Sequence, residues 1–427
     1  MTTMSLALPR AAAAEPAPRL FNRNVILLSQ AQLVSQCGNQ AFTIAVTFWT
    51  AQTTHSATLT GAMLLANVLP VILLAPFTGA FADRHRSRLR IVAAADLTSG
   101  ALVTLLGVLC LLQPSALRPA VLFPAVLLLG VCSAFFNPAV NALSPELVPR
   151  DRIEALNAFQ QSSRQVAVLV SQGVGGVLYA LAGPAALFLI DGGSFLFAAA
   201  SELMIRPPAA DRAAAARPPA RGAVFAHTAE GCRYVARLPG MIGFLATVAM
   251  FNALLMPMTV LLPVFATTYL GADARWYGFL LSAISGGAVA GGVLVGARRW
   301  TGRSRRALIV GALATLATAL VVLGQLRSRW LAIAVAAGTG VLAAIINVLT
   351  VSIIQRRTEP AFRGRVIGLQ ATLTRALLPI GMVGGGAIAD ATGRNVPVVY
   401  AACGALALAA AAQLVLRRSI RAFLAAE

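Results

Sequence analysis

Arg164 and Arg375 lie where arginine is costly. Each sits some ten residues inside a long apolar stretch, which is ~15 Å from the end of a helix rising 1.5 Å per residue. A charge at that depth costs at least ~2.5–3.5 kcal/mol on insertion scales and normally faces a cavity or a partner. Two chemistries fit. The pair can contact acidic or polar oxygens of a bound molecule, or each can be held between helices by a carboxylate or by free carbonyls, with Asp191 and Asp96 as candidate partners for Arg164. Coupling to a proton needs a group whose protonation changes in use, and a desolvated carboxyl is one. Asp191, near the middle of another apolar stretch, is the first choice; Asp96, Glu202 and Asp390 lie nearer stretch ends, where structural ion pairs are expected. Ser163 and Ser194 are single hydroxyls without a base, and His55 and His227 fall in connections. The five cysteines (Cys37, Cys110, Cys132, Cys232 and Cys403) have no metal-ligand or redox spacing. No phosphate-binding Gly-rich loop occurs, so no enzyme activity, cofactor or metal is expected.

The elements that hold these residues are membrane spans. Of 427 residues 58% are hydrophobic and 11% charged, against about 25% charged in soluble domains; the mean hydropathy is +0.78. A span needs ~20 mostly apolar residues to cross a ~30 Å hydrocarbon core. Twelve stretches qualify: about 25–50, 58–82, 89–112, 119–145, 155–181, 184–204, 240–268, 276–297, 307–326, 330–355, 365–390 and 396–416. They are rich in Gly, Ala and Leu, as in the glycine-rich 285–296, and small residues let helices approach closely in lipid.

The net charge of +20 comes from 34 arginines and no lysine. Twenty-seven of the 34 fall in the N-terminal tail, the even-numbered connections and the C-terminus; Arg118, Arg275, Arg327, Arg329 and Arg394 are the five on the other side. That asymmetry places both termini in the cytosol, and it accounts for the charge without nucleic acid. The expected organisation is a disordered tail (1–23), a six-helix bundle (24–204), a Pro/Ala/Arg linker (205–239), a second bundle (240–416) and a cytosolic tail (417–427). Within the linker, Phe225, Ala229, Cys232 and Ala236 would share one face of a short interfacial helix.

The halves repeat. Pro149-Arg-Asp-Arg152 precedes Arg164 by fifteen residues, counted from the proline, and Pro360-Ala-Phe-Arg363 precedes Arg375 by the same number; Gly175 and Gly386 match at the same offset, and Asn39 and Asn252 lie half a chain apart. Two parallel six-helix repeats form a transporter architecture, with a midplane site between them open to one side at a time.

The segment Gly79-Ala-Phe-Ala-Asp83-Arg84-His-Arg86-Ser-Arg88 resembles the loop signature of the major facilitator superfamily, with Arg86 where the family prefers Gly. Phe136-Asn-Pro-Ala-Val-Asn-Ala-Leu-Ser-Pro-Glu-Leu-Val-Pro149, Glu154-Ala-Leu-Asn157, Gly175 to Pro184, Ile190-Asp191 with Ser194-Phe195, and Arg363-Gly-Arg-Val366 are similar to its enterobactin-exporter and macrolide-efflux-like branch. Three positions depart: Ser171-Gln172 replaces a Gly-Pro pair of the antiporter signature, Asn39 stands where many relatives carry Asp, and Gly296 stands where the second copy of the loop could hold Asp.

The resemblance implies an all-α membrane fold of twelve helices in two pseudo-symmetric bundles. It also implies a gate of Gly79, Asp83, Arg84 and Arg88, in which Asp83 caps the start of the eleventh span. Spans one, four, seven and ten are central in that fold, and their interiors carry no ionised residue. The substrate-binding candidates are Gln36, Asn39, Phe135, Phe136, Asn137, Asn141, Asn252, Met256 and Asn347, together with Arg164 and Arg375; Asp191 is the proton-coupling candidate. Such a lining suits a large amphipathic molecule. The expected function is proton-driven export of a siderophore or other acidic natural product; the alternatives are broad efflux of macrolides or lipophilic drugs and, in another class, a non-transporting sensor. The expected partners are a small-molecule substrate, the bilayer and a proton gradient, with the chain acting as a monomer.

Overall fold

The computed structural model describes residues 21–84, 87–206, 230, 232–297, 300, 302–359 and 362–425, and all its regular structure among them is helical. The helices are α1 (Arg23–Thr54), α2 (Ala57–Arg84), α3 (Arg88–Leu112) and α4 (Pro119–Leu143), then a run, Ile153–Leu203, that breaks at Gly183 into α5 and α6. The second half holds α7 (Met241–Val264), α8 (Ala274–Gly296), α9 (Gly302–Gln325), α10 (Arg329–Arg357), α11 and α12 (Val396–Leu416). Helix α11 runs Arg363–Pro379, passes through a π-helical turn at Ile380–Gly384 and continues as Gly385–Ala391. A short α13 (Arg418–Ala425) follows.

Ten helices among the described residues are long and apolar enough to span a membrane. One is the 51-residue run, which supplies two spans because Gly183 adopts φ 71°, ψ −175° and Pro184 follows; a side chain at that φ would be strained, and proline cannot continue the preceding hydrogen bonds. Helix α1 falls short of the apolar threshold because a polar stripe runs along it, although 32 residues are ample to cross. With both included, the twelve expected spans are present.

Each half uses the same pairings. Helix α1 lies on α5 and α6, α2 on α4 and α3 on α6; α7 lies on α11, α8 on α10 and α9 on α12. The halves meet along α2 with α11 and α5 with α8, a symmetry-related pair of seams. At the second seam a Cβ on Gly176 would fall 2.5 Å from the carbonyl oxygen of Ala274 and 2.8 Å from Gly278 Cα, so only glycine permits this backbone approach.

The two ends of the chain, both expected as tails, differ in what the structure describes. Residues 1–20 of the N-terminal tail lie outside the described residues. The C-terminal stretch is no free tail: Ile420, Phe423 and Leu424 of α13 are buried, Phe423 packs on Phe244 of α7, and the Phe423 carbonyl accepts from Arg357 Nη2 at 2.6 Å. In the linker, 207–229 and 231 lie outside the described residues, Phe225 and Ala229 with them. Residues 232–237 are helical, but Cys232 and Ala236 are exposed, whereas Val235 is buried and Tyr234 stacks on Phe362. The face that counts is turned toward the protein, because the start of α11 offers an aromatic ring to cover.

Candidate functional site

The Arg-rich face of the bundle is where α1, α3, α5 and α11 begin. Two asparagines close it around the first half: Asn22 caps α1 through Val25 N (2.9 Å) and donates to Leu147 O (2.7 Å), while Asn24 donates to Arg206 O (2.7 Å). Arg88 at the start of α3 pairs with Glu146 beyond α4 and donates to Ala142 O at 3.2 Å. It braces the first half and does not reach the second. A Cβ on Gly79 would meet nothing within 4 Å outside its own helix turn, and the side chains of Asp83 and Arg84 lie outside the described residues. The start of α11, which Asp83 was expected to cap, is covered by the linker: Tyr234 stacks on Phe362 at 4.4 Å, its hydroxyl accepts from Glu359 N (3.1 Å), and Glu230 pairs with Arg365 at 2.7 Å.

A cavity of about 840 Å³, counted out to its open mouth, occupies the half of the bundle nearer this face. Its lining comes from α1, α3, α4, α5 and α6, entirely within the first six helices. Helix α1 contributes Ser29, Gln32, Gln36 and Asn39, whose spacings of three, four and three put them on one face. Helix α4 contributes Phe136 and Asn137, α5 contributes Gln160, Ser163 and Arg164, and α3 contributes Asp96 and Ser99. Ser29 Oγ, Gln32 Nε2 and Asp96 Oδ2 are buried without hydrogen-bond partners. Buried polar atoms without partners cost ~1–3 kcal/mol each, so this lining favours a polar ligand or water.

Five of the substrate-binding candidates, Gln36, Asn39, Phe136, Asn137 and Arg164, line this cavity. The rest do not. Phe135 packs edge-on against Phe81, and Asn141 is exposed. Asn252 Nδ2 bonds back to Val248 O at 2.9 Å, Met256 packs against Gly381 in the π-turn of α11, and Asn347 and Arg375 are exposed. The two arginines of the repeat therefore differ in setting: Arg164 lines this cavity, and Arg375 is exposed outside its lining. Among the described residues neither forms an ion pair, so neither Asp191 nor Asp96 neutralises Arg164. Asp191 is fully buried between α1 and α6 outside the cavity lining, where Ser194 Oγ donates to its carbonyl oxygen (2.8 Å) and lies 3.4 Å from Oδ1. The sequence reading gave Asp96 a structural role and did not single out Gln32 or Gln160, all three of which line the cavity, although the three–four spacing of polar residues in α1 was a usable signal.

The other end of the bundle is closed. Asp390, at the end of α11, accepts four hydrogen bonds from the start of α2: Ala57 N (2.8 Å), Thr58 N (2.9 Å), Thr58 Oγ1 (2.6 Å) and Ser56 Oγ (2.8 Å). The expected ion pair is replaced by a helix cap between halves, because the first-turn amides of α2 have no helical partners of their own. At the second seam Ser282 Oγ donates to Leu169 O (2.7 Å) and Ser285 Oγ to Gln172 Oε1 (2.6 Å). Gln172 Nε2 in turn reaches Gln40 Oε1 at 3.4 Å. The residue standing in place of the signature proline thus links α1, α5 and α8.

A two-bundle helical membrane fold, closed at one face and hollow toward the other, is that of a secondary transporter. Residues 28–378 match the family model described as Major Facilitator Superfamily, and the chain belongs to that superfamily. It is a multi-pass membrane transporter and not an enzyme. Among curated proteins it is 24% identical over 369 residues to macrolide efflux protein A of Streptococcus pyogenes (85% of this chain, 89% of the relative). It is 27% identical over 379 residues to multidrug efflux pump Tap of Mycolicibacterium fortuitum (86% and 90%). Among solved structures it resembles a bacterial homologue of the iron transporter ferroportin in the inward-facing state, with TM-score 0.69, 17% identity and coverage of 92% and 99%. The nucleoside transporter NupG matches with TM-score 0.69 at 12% identity, covering 95% and 100%. At these identities the structures speak for the fold alone.

Proposed function

We propose that this chain exports lipophilic, drug-sized molecules, macrolides among them, across the bacterial inner membrane, driven by the proton gradient. The arginine asymmetry supports placing both termini and the cavity mouth in the cytosol. The observation that carries the substrate reading is the cavity itself: rings of Phe136, Phe159 and Phe195 alternate with unpartnered polar atoms, and Asp96 supplies an acidic group. A bulky amphipath bearing an amine would bury its apolar body on those rings and set its charge toward Asp96. The names of the two efflux relatives agree with this reading.

The test is expression in a macrolide-sensitive host lacking its own pumps. Accumulation of radiolabelled erythromycin should fall and resistance should rise, both reversed by a protonophore. Unchanged accumulation at normal protein level in the membrane would overturn the reading.

A second reading, export of an acidic natural product such as a siderophore, is favoured by one observation: the Arg164 guanidinium lines the cavity with no ion-pair partner among the described residues. Asp96 in the same lining weighs against an anionic cargo.

A further inference from the structure

In the cavity wall and just behind it lie two acids that the expected mechanism did not use. Asp96 of α3 is 3% exposed and Glu202 of α6 is 0% exposed. Their carboxyl groups are within hydrogen-bonding distance of each other. Yet Asp96 Oδ2 and both Glu202 oxygens have no N–H or O–H donor, and neither acid forms an ion pair with a described residue. Two facing carboxylates repel, and each buried charge left unpaired costs several kcal/mol. Glu202 also sits in the last turn of α6, where the helix dipole disfavours a negative charge. A proton between the two acids resolves all three conflicts, since the protonated group donates to the other. The contact is a hydrogen bond only when that proton is present.

Among the described residues no ion-pair partner for the two acids is found. Of the titratable groups on the neighbouring helices, α4 offers the Cys132 thiol beside the neutral Ser133 and Asn137, α5 brings Arg164 into the same lining, α6 adds the buried Asp191, and α1 faces the cavity with the neutral Ser29, Gln32, Gln36 and Asn39. Asp96 touches the cavity and Glu202 lies behind it, so a proton can pass from the hollow to the pair.

We infer that Asp96 and Glu202 hold one proton between them and form the site at which transport is coupled to protons, in place of Asp191. The inference that the pair couples transport rests on the exporter reading above; that the pair shares a proton does not. With one shared proton the pair carries one negative charge. Uptake of a second proton from the outer side makes it neutral, and release of that proton to the cytosol restores the charge that an incoming cationic substrate meets at Asp96.

Two measurements on the full chain test this. Infrared spectroscopy of the reconstituted protein at neutral pH should show a protonated-carboxyl band that disappears in both Asp96→Asn and Glu202→Gln and persists in Asp191→Asn. A band lost only in Asp191→Asn, or no band at all, would overturn the shared proton. In proteoliposomes, erythromycin counterflow without a gradient should stay within about twofold of wild type in Glu202→Gln, whose side chain lies outside the cavity lining, while accumulation driven by a pH gradient falls at least tenfold. Gradient-driven accumulation kept by Glu202→Gln would overturn the coupling role. The amide of Glu202→Gln can still donate to Asp96, so this variant keeps the buried contact and the fold. A wild-type protein that shows the band but moves no erythromycin would count against the macrolide reading while supporting the shared proton.

Discussion

Arg164 and Gln172 illustrate how much a single side chain's setting decides. Arg164 and Arg375 stand at equivalent points of a sequence repeat, but only Arg164 faces the hollow. A charged hydrogen bond is worth ~1.5–3 kcal/mol. If Arg164 contacts an anionic group of the cargo, Arg164→Gln should raise KM for a siderophore-type anion by roughly 10- to 100-fold. For erythromycin it should change KM less than about threefold, read from initial rates in everted vesicles. Arg375→Gln should leave both unchanged. Gln172, standing where the family's signature has proline, bonds Ser285 across the seam and Gln40 within its own half. Gln172→Ala removes both bonds and should loosen the closed face, raising labelling of a cysteine placed at Thr47, buried in this state, by a membrane-impermeant maleimide added from outside.

At the scale of the helix, the two seams are held by different physics. The α2–α11 seam rests on Asp390 acting as a cap for a helix in the other half. Losing a side-chain cap costs ~0.5–2 kcal/mol. Asp390→Ala should therefore shift the protein toward the outward-open state by about that amount, read as a two- to thirtyfold rise in external labelling, with no loss of membrane insertion. The α5–α8 seam adds to the hydrogen bonds of Ser282 and Ser285 a bare backbone contact at Gly176 and Gly278. Gly176→Leu has no room there and should abolish transport while leaving each bundle folded, as judged by helical content and protease resistance. The π-turn in α11 brings Gly381 against Ala253 and Met256 of α7. Such turns relieve strain where a helix must bend around a neighbour.

For the whole molecule, the decisive feature is that the halves are bonded at one face while the hollow, within the first half, opens toward the other. A Cβ placed on Gly173 would lie 3.8 Å from Ser282 Cβ, which is the usual separation in a disulfide. Gly173→Cys with Ser282→Cys, in a background with exposed Cys232 replaced by Ser, should cross-link the halves under mild oxidation. Transport should stop, and dithiothreitol should restore it. Undiminished transport by fully cross-linked protein would show that the α5–α8 seam does not open during the cycle.

Sequence alone determined the membrane class, the number and limits of the spans, and the duplication, because each depends on local properties: apolar length, arginine counts along the chain, and fixed offsets between landmarks. The span 396–416 was placed at its observed limits, and most others lie within a few residues. Half of the site was legible for the same reason, since α1 and α4 carry their polar residues openly. Which acids meet was not legible. Asp96 and Glu202 are over a hundred residues apart and touch only because α3 packs on α6, and Asp390 finds α2 only because the halves close there. Burial and partnership are properties of packed helices, so only the tertiary structure could bring Asp96 and Glu202 together and shape a hollow lined by the first six helices alone.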